Sequence, residues 1–339
     1  MVTIKDVAEL AGVSKGTVSN VFSQKRPISK EVKEKVLAAA RQLNYKPNYL
    51  ARSLAVQQTK IIGLNMPMES TKFSPFHLSL LNGVLNECSH RGYRVLVNRL
   101  ANEAFETTEF LPSDPIDGEI ILDPSENDPR INDRINQKMP FILIGKPSKK
   151  FETAISYVDN DNIHIASQVT EYLLSLGHKH ILFLNAPKER TVSQERYLGY
   201  KSALIKKGII PQEQLIQYKT NDLHSFDFAY EKTMMLLEQT KEITAIITDS
   251  NHMAMGVYQA AQDKGLHIPD DLSVISFSND INYVNHFNPP LSCVNLNAEL
   301  LGKEAAKLLL DQIANRDEVT TRVMISAKFM EQGSCKSII

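Results

Sequence analysis

Short apolar runs alternate with amphipathic stretches along most of this chain, and that alternation limits its fold more than any other feature. The runs fall at 61–66, 93–98, 118–122, 141–145, 181–185, 243–248 and 273–277. Between most of them lie segments with apolar residues at helical spacing, at 78–90, 163–176, 197–207, 228–239, 253–264 and 299–313. Repeated strand–helix–strand order builds parallel sheets covered by helices on both faces, with ligands at the C-terminal strand ends. The region spans ~280 residues, long for one such sheet. Its 42% hydrophobic and 23% charged residues give the chain a globular composition. It has no apolar run of about 18 residues, and its first residues lack the charged-then-apolar pattern of a signal peptide. A cytoplasmic location without membrane contact is expected. Cys88, Cys293 and Cys335 are far apart and read as packing residues rather than a disulfide framework or zinc site.

Residues 1–60 differ in charge: eleven Lys or Arg against four acids, net +7, where the other 279 residues carry −8. A basic head on an acidic body suits contact with a polyanion, although a merely solvated basic surface has the same balance. Thr3 and Asp6 form a T-x-x-D helix start, with the Thr3 hydroxyl as cap. Ile4, Val7, Ala8 and Ala11 follow at helical spacing, and Gly12 permits a tight turn. Ser14 opens a second helix, 15–22, with Val18, Val21 and Phe22 inward, leaving Lys15, Gly16, Thr17, Ser19 and Asn20 largely outward. Ser29 opens a third, to about residue 43, with Val32, Val36, Ala39, Ala40 and Leu43 inward. These predict an all-α helix-turn-helix head over 1–46.

A second helix after a short glycine turn can enter the major groove of double-stranded DNA. Lys15 suits guanine acceptors and Asn20 adenine or phosphate, while Thr3, Ser14, Thr17 and Tyr45 can donate to phosphates. Other three-helix bundles share the pattern. Residues 48–55 have a cap and helix formers but are too short to form a stable helix alone. Leu50 and Leu54 stand one turn apart there, either to wedge between base steps from the minor groove or to pack in an ordinary linker.

Thr3-Ile4-Lys5-Asp6-Val7-Ala8-Glu9-Leu10-Ala11-Gly12-Val13-Ser14, Thr17-Val18-Ser19, Tyr45-Lys46-Pro47-Asn48 and Ala51-Arg52-Ser53-Leu54 together closely resemble the lac/galactose repressor family (LacI/GalR-type transcriptional regulators). The resemblance continues to near the C-terminus. It implies that Lys15, Gly16 and Asn20 read bases, that Arg26 reaches DNA, and that 47–60 is a hinge helix and linker. Leu54 of each subunit is then expected to open the central step of a pseudo-palindromic operator. Ser19, Asn48 and Ala51 join the DNA-binding set through the matched motifs. An arginine frequent in the family at the position of Asn20 is absent. For 61–339 the resemblance implies an effector-binding and dimerisation core of two doubly wound, periplasmic-binding-protein-like lobes with three chain crossings. The N-lobe is expected at about 61–158 plus 290–320 and the C-lobe at about 159–289 plus 321–339. No leucine heptad follows the last strand-like segments, which favours a homodimer over a tetramer.

Sugar recognition needs planar multidonor groups, amide or hydroxyl partners and an aromatic face. Phe76 follows the first strand of the body; Arg190, Ser193 and Arg196 follow 181–185; Asn251 follows 243–248; Ser278 and Asn279 follow 273–277. Each position suits an α/β cleft, and each alone is as readily structural, a lone arginine commonly being a surface ion pair. The resemblance makes Phe76 a pocket wall and Arg196 the central donor to a small-molecule effector, a sugar or sugar derivative. Ser278 and Asn251 stand where the family commonly has Asp. With two acids fewer, an anionic or phosphorylated ligand gains on a neutral sugar. His178 and His180 read as structural, and neither a metal nor a cofactor is expected. No GxSxG, GxxxxGK[ST], HExxH or GxGxxG pattern occurs. The reading is therefore a non-enzymatic, ligand-responsive repressor. A pure sugar-binding protein, which leaves the basic head unexplained, and an α/β sugar enzyme, which lacks a nucleophile, are the alternatives.

Overall fold

In the computed structural model, which describes residues 2–23, 26–46, 58–66, 73–98, 115–220, 223–277, 286–315 and 319–339, the chain divides into two units: 1–61 with 115–117, and the remainder. The first unit contains α1 (Ile4–Ala11), α2 (Lys15–Ser23) and α3 (Lys30–Gln42). Asp6 accepts hydrogen bonds from the Thr3 amide (2.8 Å) and hydroxyl (2.9 Å), which closes the start of α1. Gly12 ends that helix at φ +64°, a left-handed conformation that glycine adopts without a Cβ clash. Ser14 Oγ accepts from the Thr17 amide (3.1 Å) and starts α2. Helices this short are marginal alone; Val7, Val18 and Val36, one from each, are fully buried in a shared core.

The second unit carries two six-stranded sheets. Across the first run β11 (Arg322–Ile325), β5 (Tyr157–Asn160), β4 (Phe141–Ile144), β3 (Gly118–Leu122), β1 (Ile61–Asn65) and β2 (Arg94–Asn98). Across the second run β12 (Lys328–Met330), β10 (Ser292–Asn295), β9 (Ser273–Ser276), β8 (Ala245–Thr248), β6 (Ile181–Asn185) and β7 (Ile216–Tyr218). Pairings are parallel from β1 through β3, β4 and β5 to β11, and from β7 through β6, β8 and β9 to β10; β12 joins β10 antiparallel.

Alternate residues of a strand face opposite sides, so each sheet feeds two cores. Ile120 and Leu122 of β3 pack with α4 (Pro75–His90) and α10 (Ala298–Asn315), while Ile121 between them packs with α5 (Pro129–Asn136). In the second sheet Ile181 and Phe183 face α6 (Asn162–Ser175) and α7 (Thr191–Lys206), and Leu182 and Leu184 face α8 (Ser225–Gln239) and α9 (Asn251–Asp263). No helix among the described residues is long and apolar enough to cross a membrane.

The chain passes between the sheets after β5, β10 and β11, and the expected lobe boundaries shift accordingly. Residues 292–295 are a strand of the second sheet and 322–325 a strand of the first, the reverse of their assignment from sequence. Packing decides both: Cys293 and Val294 enter the cores of the second sheet, whereas Val323 and Ile325 rest on the core under α4 and α10. The crossings are tied together. The Asn160 side-chain amide donates to the carbonyls of Leu296 (3.1 Å) and Ile325 (2.8 Å), and that of Asn297 to Ser326 (2.8 Å).

Candidate DNA-reading face and ligand cleft

On α2, burial of Val18 and Val21 leaves Lys15 and Gly16 exposed and Thr17, Ser19 and Asn20 partly exposed. A Cβ on Gly16 would meet only Ser14 Oγ, at 3.6 Å, so packing within the head does not require glycine there. The bare backbone lets another molecule approach closely. Lys5 pairs with Glu9 (3.8 Å) and Lys35 with Glu31 (2.8 Å), while no ion pair among the described residues engages Lys15 or Arg26. Cationic groups thus stand at the start of α2 and just past its end. The Thr3 hydroxyl differs from expectation. It donates to Asp6, whose carboxyl that bond and the Thr3 amide hold below its ordinary pKa, so in this arrangement it offers no proton to a phosphate. Tyr45 is half-buried, its ring 5.8 Å from that of Phe22, and desolvation pushes its phenol pKa up. Asn48, Ala51 and Leu54 lie outside the described residues, as do Ser278 and Asn279.

In the second unit, the C-terminal ends of β6, β8 and β9 and the starts of α7 and α9 build one polar surface. Asn185, the last residue of β6, donates to the Ser193 carbonyl (2.9 Å) and fixes the first turn of α7. That helix starts at Thr191, six residues before the apolar spacing begins at 197, and so turns Ser193 and Arg196 inward. Arg196 is buried. Its Nη1 donates to Asp249 Oδ1 (2.5 Å), its Nε to Asn162 Oδ1 (3.3 Å), and its guanidinium lies 4.2 Å from the centre of the Phe277 ring. Asn251 is the first residue of α9. Among the described residues nothing satisfies the buried Ser193 Oγ, Asn251 Oδ1 or Ser276 Oγ. Uncharged buried polar atoms of this kind are costly unless something binds them. Phe76, on the first turn of α4, is half-buried against cores of both lobes.

Arg190 falls elsewhere. It caps α7, pairs with Asp123 at the end of β3, and forms an isolated bridge to Ser125. Around it Thr191 donates to the Pro124 carbonyl (3.2 Å) and the Glu126 amide to the Glu189 carbonyl (2.9 Å), so Arg190 belongs to a seam between the lobes. Asp249 was not singled out in the sequence, yet it follows directly on β8, where the strand-end rule points. It supplies an acid two residues before Asn251, and it pairs with Arg196; the charge argument for an anionic ligand therefore fails. His178 is buried between Thr244 Oγ1 (2.9 Å) and the Lys336 carbonyl (3.1 Å), with its pKa pushed down by desolvation, in keeping with a structural role. No group of three or more His, Cys, Asp or Glu among the described residues is placed to hold a metal.

Residues 3–48 match the family of bacterial regulatory proteins, lacI family, and residues 170–335 a periplasmic binding protein-like domain. The ribose operon repressor of Escherichia coli (strain K12) is 31% identical over 98% of this chain and 100% of its own. A solved transcriptional regulator CelR–cellobiose complex matches with a TM-score of 0.76 at 28% identity, covering 98% of this chain and 100% of that one. The lac repressor dimer bound to operator and the anti-inducer ONPF matches with a TM-score of 0.83 at 25% identity, covering 99% of each.

Proposed function

We propose that this chain, which belongs to the lacI family of bacterial regulatory proteins, is a homodimeric cytoplasmic repressor whose operator affinity is set by an uncharged sugar. The chain is a DNA-binding transcriptional regulator. In the proposed reading α2 of each subunit enters the major groove of one operator half-site, with Lys15, Gly16 and Asn20 at base edges, Ser14, Thr17, Ser19 and Tyr45 along the backbone, and Arg26 on a phosphate. Asn48, Ala51 and Leu54 belong to the hinge that spans the operator centre.

The observation that carries the ligand assignment is Arg196, stacked on Phe277 and paired with Asp249. A guanidinium and a carboxylate side by side offer donors and acceptors with no net charge, which suits vicinal hydroxyls rather than a phosphate. Ser193, Asn251 and Ser276 add neutral partners, and Phe76 faces the sugar ring from the other lobe. The cellobiose complex of CelR supports the same class. Coupling is reciprocal: a sugar that weakens operator binding is itself bound less tightly by the operator complex.

The test uses an operator fragment selected from random duplex DNA and titrated with the full chain, alone and with cellobiose, other neutral sugars and sugar phosphates. A neutral sugar shifts the operator dissociation constant, and Arg196→Ala raises the sugar concentration needed for that shift by about tenfold or more. A response to sugar phosphates alone overturns the ligand class.

A further inference from the structure

Beside Arg196 the second lobe meets the first through charged groups that ligand binding leaves unused. Asp159, in β5, is buried and accepts from the amides of Lys146 (2.9 Å) and Asn160 (2.7 Å) and from Asn162 Nδ2 (3.1 Å). The same Nδ2 lies 3.5 Å from Glu195 Oε2, so one side-chain amide serves two carboxylates. The other Glu195 oxygen is 3.5 Å from Lys146 Nζ, which Glu152 shares at 3.1 Å. Asn162 Oδ1 in turn accepts from Arg196 Nε (3.3 Å). Lys146 and Asp159 stand at the ends of β4 and β5; Asn162, Glu195 and Arg196 stand at the starts of α6 and α7.

The charges do not balance. Asp159, Glu195, Glu152 and Asp249 face two cations, Lys146 and Arg196, and Asp249 already claims the second. Asp161 adds repulsion on Glu195, and Tyr157 stands beside Lys146 with Arg322 beyond it. Desolvation first, then the neighbouring Glu195, pushes the Asp159 carboxyl up to about 7; desolvation raises Glu195 as well.

We propose that Asn162, Glu195 and Lys146 are positioning residues, a relay through the first chain crossing that holds Arg196 in register with the ends of β4 and β5 and tightens or slackens as the Asp159–Glu195 pair gains or loses a proton. Singly protonated, the pair carries one negative charge instead of two, and Asn162 Nδ2 donates to an oxygen of each carboxyl group. Doubly ionised, the two carboxylates repel across the crossing and Lys146 has to divide itself between Glu195 and Glu152. The relay does not depend on which effector binds: a core that ignored every sugar would still carry it.

The test is the pH profile of operator affinity of the full chain on the selected fragment, without sugar. No histidine occurs in residues 1–60, and groups common to wild type and variant cancel in their ratio. Glu195→Gln imitates the protonated acid. Its operator dissociation constant equals that of wild type at about pH 5.5 and departs from it by about threefold or more at about pH 8. Lys146→Met, at a side chain one-third exposed and so tolerant of change, removes the cation facing the pair and moves the wild-type midpoint to higher pH. Circular dichroism melting checks folding, and if Glu195→Gln does not fold the Lys146→Met midpoint decides. A variant-to-wild-type ratio constant with pH, superimposed profiles, or an unmoved Lys146→Met midpoint overturns the relay.

Discussion

Arg196 and Asp249 show what single positions disclose and what they conceal. The arginine is legible because the resemblance carries it over residue by residue. Its partner is not, because the missing acids at positions 251 and 278 draw the reading away from the acid that follows directly on β8. The Asp159–Glu195 pair is harder still to foresee: Lys146, Asp159, Asn162 and Glu195 form no sequence pattern, and only the first crossing brings them together. Its burial has a measurable effect on stability. The unfolded chain releases the Asp159 proton near the ordinary value of 3.8, whereas the folded chain keeps it to about 7. Between those values the native state binds more protons, so this contribution is complete below the lower limit and lost as pH rises through the upper. Asp159→Asn is expected to flatten the fall in melting temperature over that window, an effect of at most ~4 kcal/mol, read by thermal melts of both proteins at matched pH.

At the scale of elements, the long periodic helices and apolar strands were visible in the sequence and the short or polar ones were not. The inward face of α5 carries Arg130 and Arg134, which pair with Asp128 (2.6 Å) and Glu119 (2.6 Å) instead of presenting an apolar stripe. Strands β7 and β12, three residues each, are too brief for alternation to register. Strands β10 and β11 show why lobe membership was misassigned: an apolar strand at a crossing fits either sheet until its side chains find a core. The helix pairs of the core share a close approach at glycine. A Cβ on Gly302 of α10 would run into the Leu80 carbonyl of α4, one on Gly199 of α7 into the Ile163 carbonyl of α6, and one on Gly256 of α9 into the Phe226 carbonyl of α8. Backbone cannot yield as a side-chain tip can. Gly302→Ala is expected to destabilise the chain by about 2 kcal/mol or more through overpacking, measured by urea denaturation.

For the whole molecule, the opposite charges of head and body divide the work that salt can modulate. A head of net +7 that neutralises backbone phosphates releases counterions on binding, so operator affinity is expected to fall by roughly a thousandfold or more between ~50 and ~200 mM salt. Sugar binding at a surface without net charge changes by less than about twofold over the same range; parallel titrations at several salt concentrations check both. At the crossings one side-chain amide, that of Asn160, holds two of the strands while its own backbone forms the third. A rotation of one lobe on the other about those bonds would barely displace the crossing itself, while the same angle would become a longer sweep at residues farther from it.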